Sequence, residues 1–159
     1  MNLLRISVLS AVVIPVLLAG FAHAQMRAKQ VLSLEGARKI AAAAAAEADR
    51  RNARVVIAVV DDGGHLLYLE RLDGTQVASV AVGIGKAKTA AIFRRPSRVF
   101  EEQVKNGRVA ALALPGATPL QGGIPLMVDG EVIGAVGVSG ETPQEDEDIA
   151  LVAAAALSN

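Results

Sequence analysis

Apolar and polar positions along this chain fall into two periods, and the switches between them mark the elements. Residues 34–51 are helical in period. Ala37, Ile40, Ala41, Ala44 and Ala48 recur on one face, while Arg38, Lys39, Asp49 and Arg50 lie outside it. Ser33 is placed as the N-cap, and Glu47 and Arg51 form an i,i+4 pair of favourable orientation. The alanine run 41–46 makes this helix thin enough to lie close to a sheet. Residues 54–60 are a near-continuous β-branched run, which predicts a central strand. Asp61-Asp62-Gly63-Gly64 is a turn, and residues 65–71 return as the hairpin partner, with His65, Leu67, Leu69 and Arg71 sharing one face.

Residues 76–93 return to helical period, with a stripe of Val77, Val80, Ala81, Ile84, Ala87 and Ala91. Gly83 and Gly85 each cost a mid-helix position about 1 kcal/mol against alanine, so their presence predicts a close crossing with another backbone. Arg94-Arg95-Pro96 breaks the helix, and Ser97 caps a short one through Val104, with Phe100 and Val104 as its buried pair. Residues 109–114 fit a strand or a helical turn equally. A proline- and glycine-rich loop then leads to Gly122-Gly123.

Residues 124–128 and 132–138 are apolar runs around Asp129-Gly130, the dipeptide that a type I′ hairpin turn demands. The second run is almost wholly small or β-branched, which predicts a strand buried on both faces. Thr142-Pro143-Gln144-Glu145 is a capping box with proline at the first helical position, and Ile149, Val152, Ala153 and Ala156 give the last helix its apolar face. The order is helix, hairpin, two helices, hairpin, helix. Strands arriving as adjacent pairs predict an antiparallel sheet layered with helices, an α+β domain, and disfavour parallel doubly wound topology.

Composition sets the address. Residues 1–24 read as a signal peptide: Arg5 is the positive n-region, residues 6–20 the apolar core, and Ala22-His23-Ala24 the cleavage site. The mature chain is then residues 25–159, a single exported domain in the periplasm or outside the cell, with no stable membrane insertion once the leader is cleaved. Sixteen Lys and Arg balance sixteen Asp and Glu, so no basic excess draws the chain to nucleic acid. The absence of cysteine excludes thiolate catalysis and leaves an exported chain to be held by packing, alone or with oligomerisation. His23 departs with the leader. His65 remains, and one histidine cannot build a multi-histidine metal site.

Several clusters invite chemistry. Gly83-Ile84-Gly85-Lys86 lacks phosphate-loop spacing, with Val80 and Ala87 where glycine and Ser or Thr are needed, so helix packing is the better reading. Glu145-Asp146-Glu147-Asp148 resembles a cation site, but acids in a first helical turn are also what the positive helix end favours, and capping with solvation is the preferred reading. Lys86 and Lys88, with Arg94 and Arg95, read either as a basic rim for carboxylates or as solvated surface. No serine lies in a GxSxG context, so serine hydrolase chemistry has no support. Thr118 is a hydroxyl in a loop that opens onto the Gly122-Gly123 backbone.

Three segments in order carry a family resemblance: AVVDDGGHLLYLERLDG from Ala58, KAKTAAIFRRPS from Lys86, and GGIPLMVDGEVIGAVGVSG from Gly122, the last followed by QEDEDIA. The chain resembles the GlcG/HbpS family of haem-binding, sometimes called haem-degrading, proteins, which is similar to the C-terminal domain of PduO-type adenosyltransferases. The resemblance implies a profilin-like sandwich, with an antiparallel sheet of about five strands and helices on both faces, assembling into homo-oligomers. It also implies a tetrapyrrole ligand, haem first, with Thr118 as the iron contact. A first-helix histidine tied to the same role has no counterpart here. The binding set that follows is Thr118, His65, Lys86, Arg95, Gly122 and Gly123, and the expected function is a non-enzymatic haem carrier. Two alternatives stay open. One is an enzyme or accessory factor for a small carboxylate such as glycolate, with His65 handling the proton and Arg71 the carboxylate. The other is a ligand-free oligomeric sensor-partner module.

Overall fold

A computed structural model of the chain describes residues 28–157. The leader assigned to residues 1–24 lies outside the described residues. Helix α1 spans Leu34–Arg51, followed by strands β1 (Val56–Asp61) and β2 (Leu66–Arg71), helices α2 (Ser79–Phe93) and α3 (Arg98–Lys105), a 3-10 turn at Val109–Ala113, strands β3 (Gly123–Val128) and β4 (Glu131–Ser139), and helix α4 (Pro143–Ala155). This is the order read from the apolar pattern. No helix among the described residues is long and apolar enough to cross a membrane.

The strands form one antiparallel sheet in the order β2-β1-β4-β3. The described residues thus hold four strands, where the family resemblance implied five. The ambiguous stretch at Val109–Ala113 closes as a 3-10 turn, and the proline- and glycine-rich loop after it joins no ladder. Helices α1 and α4 cover one face of the sheet, and α2 covers the other. Val55, Ile57, Val59, Val136 and Val138 pack with Ile40 and Ile149 on the first side. Ala58, Val60 and Ala135 meet Ala87, Ala90 and Ala91 on the second. β4 is buried from Val132 to Ser139, as a strand covered on both faces must be.

Local chemistry sets the element ends. The Ser33 hydroxyl accepts the Gly36 N–H at 3.1 Å, and the face buried by α1 is the predicted one. Glu47 accepts from both Arg50 and Arg51, whose guanidiniums hold its carboxyl down at about 2. Asp129 and Gly130 both adopt positive φ, +49° and +79°, as a type I′ turn requires. At α4 the capping box is complete: Thr142 Oγ1 accepts the Glu145 N–H, and the Glu145 carboxylate accepts the Thr142 N–H. Thr142→Ala is expected to lose about 1 kcal/mol in a urea melt, and Thr142→Ser to lose little.

Four local readings need correction, one of them in α3, where Phe100 is buried but Val104 only half-buried. The predicted stripe of α2 is mostly outside: Val77 is 76% exposed, Ala81 is exposed, and Val80 and Ile84 are only half-buried. The buried face is instead Ser79, Gly83, Lys86, Ala87 and Ala90 with Thr89 and Ala91. The sheet surface below explains this. It carries Ala58, Ala135 and Gly137 beside Val56 and Val60, and at Gly137 the helix backbone lies too close for any side chain between them. A Cβ on Gly137 would collide with the Gly83 carbonyl and come within 2.5 Å of the Ala87 nitrogen. This is the backbone crossing that Gly83 foretold.

Ser97 does not cap α3 with its side chain. Its hydroxyl donates to the Leu120 carbonyl (2.6 Å) and accepts the Gly123 N–H (2.8 Å), stitching the α2–α3 link to the start of β3. In α4, Val152 is 42% exposed and Ala150 is buried in its place.

Candidate functional site

Two loops from distant parts of the chain converge on the outer side of α2, between Gly85 and Ile92. The first is the loop carrying Thr118. The side chain of Thr118 stands where a side chain on Gly85 would begin: a Cβ there would collide with Thr118 Oγ1 and lie 3.0 Å from Thr118 Cβ. One helical turn on, Thr89 Oγ1 accepts the Thr118 N–H at 2.7 Å. The glycine predicted to mark a close crossing therefore makes room for this loop.

The second is the β1–β2 turn. Gly64, with φ +82°, lies against Lys88 and Ile92, so close that a Cβ would come within 2.8 Å of Lys88 Cγ. Gly116, with φ +77°, meets the other end of the same side chains: a Cβ there would lie 3.1 Å from Ile92 Cδ1 and 3.9 Å from Lys88 Nζ. Lys88 thus runs between the two loops, with its ammonium toward the Gly116–Thr118 side. His65 follows Gly64 in the turn. Asp61 organises that turn by accepting the N–H groups of Gly63 (2.9 Å) and His65 (2.8 Å), with His65 Nδ1 at 3.3 Å from the same oxygen. The imidazole is 83% exposed.

The residues proposed from sequence are distributed as follows. Thr118 and the turn of His65 meet at the α2 surface, with the exposed Lys88 between them. Lys86, expected on a basic rim, is buried beneath the helix. Its ammonium donates to Asp146 Oδ2 at 2.7 Å and to the Val138 carbonyl at 3.0 Å, and its side chain is 4% exposed. Gly122 and Gly123 are buried too, and what approaches them is the chain itself. A Cβ on Gly122 would reach the Val138 carbonyl and Lys86 Nζ, and one on Gly123 would strike the Lys86 carbonyl. Arg95 is exposed beyond the C-terminus of α2, its Nε donating to the Phe93 carbonyl. His65 lies just outside β2, and Arg71 ends that strand. Six residues of extended chain put their backbones about 20 Å apart, too far to share one small substrate. The face-sharing read from alternation is also broken, because the β1–β2 register slips at Val59/Val60.

The four acids of α4 serve the fold from four directions, as the capping reading expected for Glu145. Solvation does not describe the middle pair. Asp146 and Glu147 are 2% and 4% exposed. Burial pushes the Asp146 carboxyl up, against the pull of Lys86 and of the Glu141 and Gly140 N–H groups. Burial likewise pushes Glu147 up, opposed by Gln121 and Arg98, with Arg98 Nε at 3.2 Å. Asp148 meets Arg51 of α1 at 3.3 Å. Sequence reasoning missed the Lys86–Asp146 pair and Thr89. The signal for Lys86 was its position on the same side of α2 as Gly83, Ala87 and Ala90.

A four-stranded antiparallel sheet, with α1 and α4 on one face and α2 on the other, defines an α+β sandwich whose exposed loop cluster lies on α2. The chain belongs to the family described as "Haem degrading protein HbpS-like", whose sequence model matches residues 32–155. It is 48% identical over 114 residues to the protein GlcG of Escherichia coli K12, a match covering 72% of this chain and 85% of that one. Among solved structures it resembles HbpS, with a TM-score of 0.77 and 30% identity over 83% of this chain and 94% of the other. It also resembles the complex of PduOC with haem, with a TM-score of 0.73 and 27% identity over 80% of this chain and 95% of the other. The relation to the PduO C-terminal domain read from the sequence is therefore upheld.

Proposed function

We propose that this protein is an exported, non-enzymatic carrier of haem or a closely related tetrapyrrole, held against the outer side of α2. The observation that carries this reading is the convergence of the Thr118 loop and the His65 turn on residues 85–92 of one helix. The donor set there suits the ligand. Thr118 Oγ1 makes no hydrogen bond among the described residues and is free to meet a metal or a water on it. Half-buried Ile84 and Ile92 offer apolar contact to a ring, and the exposed ammonium of Lys88 matches a propionate. A bound haem supplies an iron with an open coordination position and two carboxylates. The chain supplies a hydroxyl, a cation and apolar walls. Of the basic residues named from sequence, Lys88 replaces Lys86 in this role, because Lys86 is committed to Asp146.

Export rests on the leader pattern of residues 1–24. Self-assembly rests on the family resemblance and on large apolar side chains left uncovered, among them Val77, Val109, Leu112 and Leu120. Light scattering of residues 25–159 is expected to give a mass above that of one chain.

The test of ligand and contact is a haemin titration of residues 25–159 followed by visible absorbance, beside Thr118→Ala and His65→Ala. The expected result is a saturable Soret shift at one haemin per chain, weakened about tenfold by Thr118→Ala, the loss of one metal-directed contact. A shift that both variants keep unchanged moves the ligand to another surface. No saturable shift at micromolar protein overturns the haem reading.

A further inference from the structure

Thr89 lies one turn beyond Gly85 on α2 and is fully buried. Its hydroxyl has one proton, and that proton goes to the Gly85 carbonyl at 2.8 Å, the i−4 bond that threonine makes inside helices. The Thr118 carbonyl, at 3.4 Å, is the poorer acceptor. With the proton committed, the oxygen lone pairs face the Thr118 N–H, which donates to them at 2.7 Å. The helix therefore presents two features at i and i+4 on one side. Thr89 grips the backbone of Thr118, and the missing side chain of Gly85 leaves the space that the Thr118 hydroxyl occupies.

We propose that Thr89 is the positioning residue of the site: its hydroxyl fixes the Thr118 backbone on α2 over Gly85, and so fixes where the Thr118 hydroxyl meets a ligand. This rests on the tetrapyrrole reading for its functional consequence, but the positioning itself is a property of the protein without ligand. The same geometry makes Gly85 the space-giving half of the cradle. Serine at 89 keeps the hydroxyl. Valine keeps the shape of threonine but leaves the Thr118 N–H without its acceptor.

Three variants test this, Thr89→Val, Thr89→Ser and Gly85→Ala, each read in two ways. Amide hydrogen exchange at Thr118 reports positioning in the ligand-free protein, and haemin titration reports its consequence. Thr89→Val is expected to speed exchange at Thr118 about tenfold and weaken haemin about as much, the value of one lost hydrogen bond. Thr89→Ser is expected to restore both.

Gly85→Ala separates positioning from stability. Alanine favours the helix at this place, so the urea midpoint should hold, while the Cβ displaces Thr118 and haemin binding falls. A purely structural role would instead move the midpoint and leave the Soret position alone. If wild-type protein binds haemin and Thr89→Val keeps both affinity and Thr118 protection, the proposal is wrong. If wild-type protein binds no haemin, the functional reading fails on its own, and exchange at Thr118 still decides the positioning claim. Should Thr89→Val not fold, Gly85→Ala decides: unchanged haemin affinity, or unchanged Thr118 exchange where wild type binds no haemin, overturns the cradle.

Discussion

Lys86→Met is expected to remove about 3–5 kcal/mol of folding stability at neutral pH, measured by urea denaturation, because it strands a buried carboxylate. Lys86 of α2 and Asp146 of α4 come from opposite faces of the sheet and meet beside Val138, near the C-terminal end of β4, each side chain under 5% exposed. The ammonium also satisfies the Val138 carbonyl, and the carboxylate accepts the Glu141 N–H at 3.0 Å. Removing the cation leaves Asp146 without the partner that offsets its desolvation.

The loss should depend on pH with a definite sign. The Asp146 carboxyl is already pushed above its ordinary value by burial, and without Lys86 it rises further. A folded-state value above the unfolded one means that the native protein binds more protons between the two values, so stability falls as pH rises through that window. Lys86→Met should therefore regain stability as pH falls through the raised Asp146 value toward the unfolded one, before general acid unfolding. Replacing both partners together, as Lys86→Met with Asp146→Leu, should cost less than either single change. A double variant as unstable as the sum of the singles would show that the two residues act independently.

Gly137→Ala is expected to be nearly as damaging, with a loss of about 3 kcal/mol or more, and Gly137→Val should prevent stable folding. The added Cβ meets the Gly83 carbonyl, the Ala87 nitrogen and the Ala87 Cβ, none of which is the end of a flexible side chain. Relief requires α2 to lift off β4, which would break the Ala58–Ala87–Ala135 contact layer. The midpoint of a urea or thermal melt checks this. A loss below about 1 kcal/mol would mean that the helix–sheet spacing yields more readily than close packing allows.

The sequence made some of these features readable and hid others. The face of α1, the Asp129-Gly130 turn and the Thr142 capping box are set by neighbours within a few residues, and all three formed as read. The face of α2 did not. Periodicity favours the stripe with the largest apolar side chains, whereas the buried stripe is chosen by a surface of Ala58, Ala135 and Gly137 that lies far off in sequence.

The same blindness hid the buried acids. Asp146 in a first helical turn looks like a capping charge, and only its contact with Lys86, sixty residues away, reveals a core ion pair. Gly122 and Gly123, expected to offer backbone to a ligand, are instead closed over by the protein: the Val138 carbonyl, Asp146 and the Lys86 ammonium at Gly122, and the Lys86 carbonyl at Gly123. Thr118 and His65 were legible as loop residues with chemistry. Their meeting on α2 was written in Gly64, Gly85 and Gly116, whose role depends on what each of them touches.

The proposed ligand position is on α2, where those two loops converge. It is tested most directly by backbone amide shift mapping of residues 25–159 with gallium(III) protoporphyrin, a diamagnetic stand-in for haem. Saturable shifts are expected to concentrate at residues 61–65, 84–92 and 116–118, with α1 and α4 unmoved. Shifts concentrated on α1 or α4, with residues 84–92 and 116–118 unaffected, would contradict it.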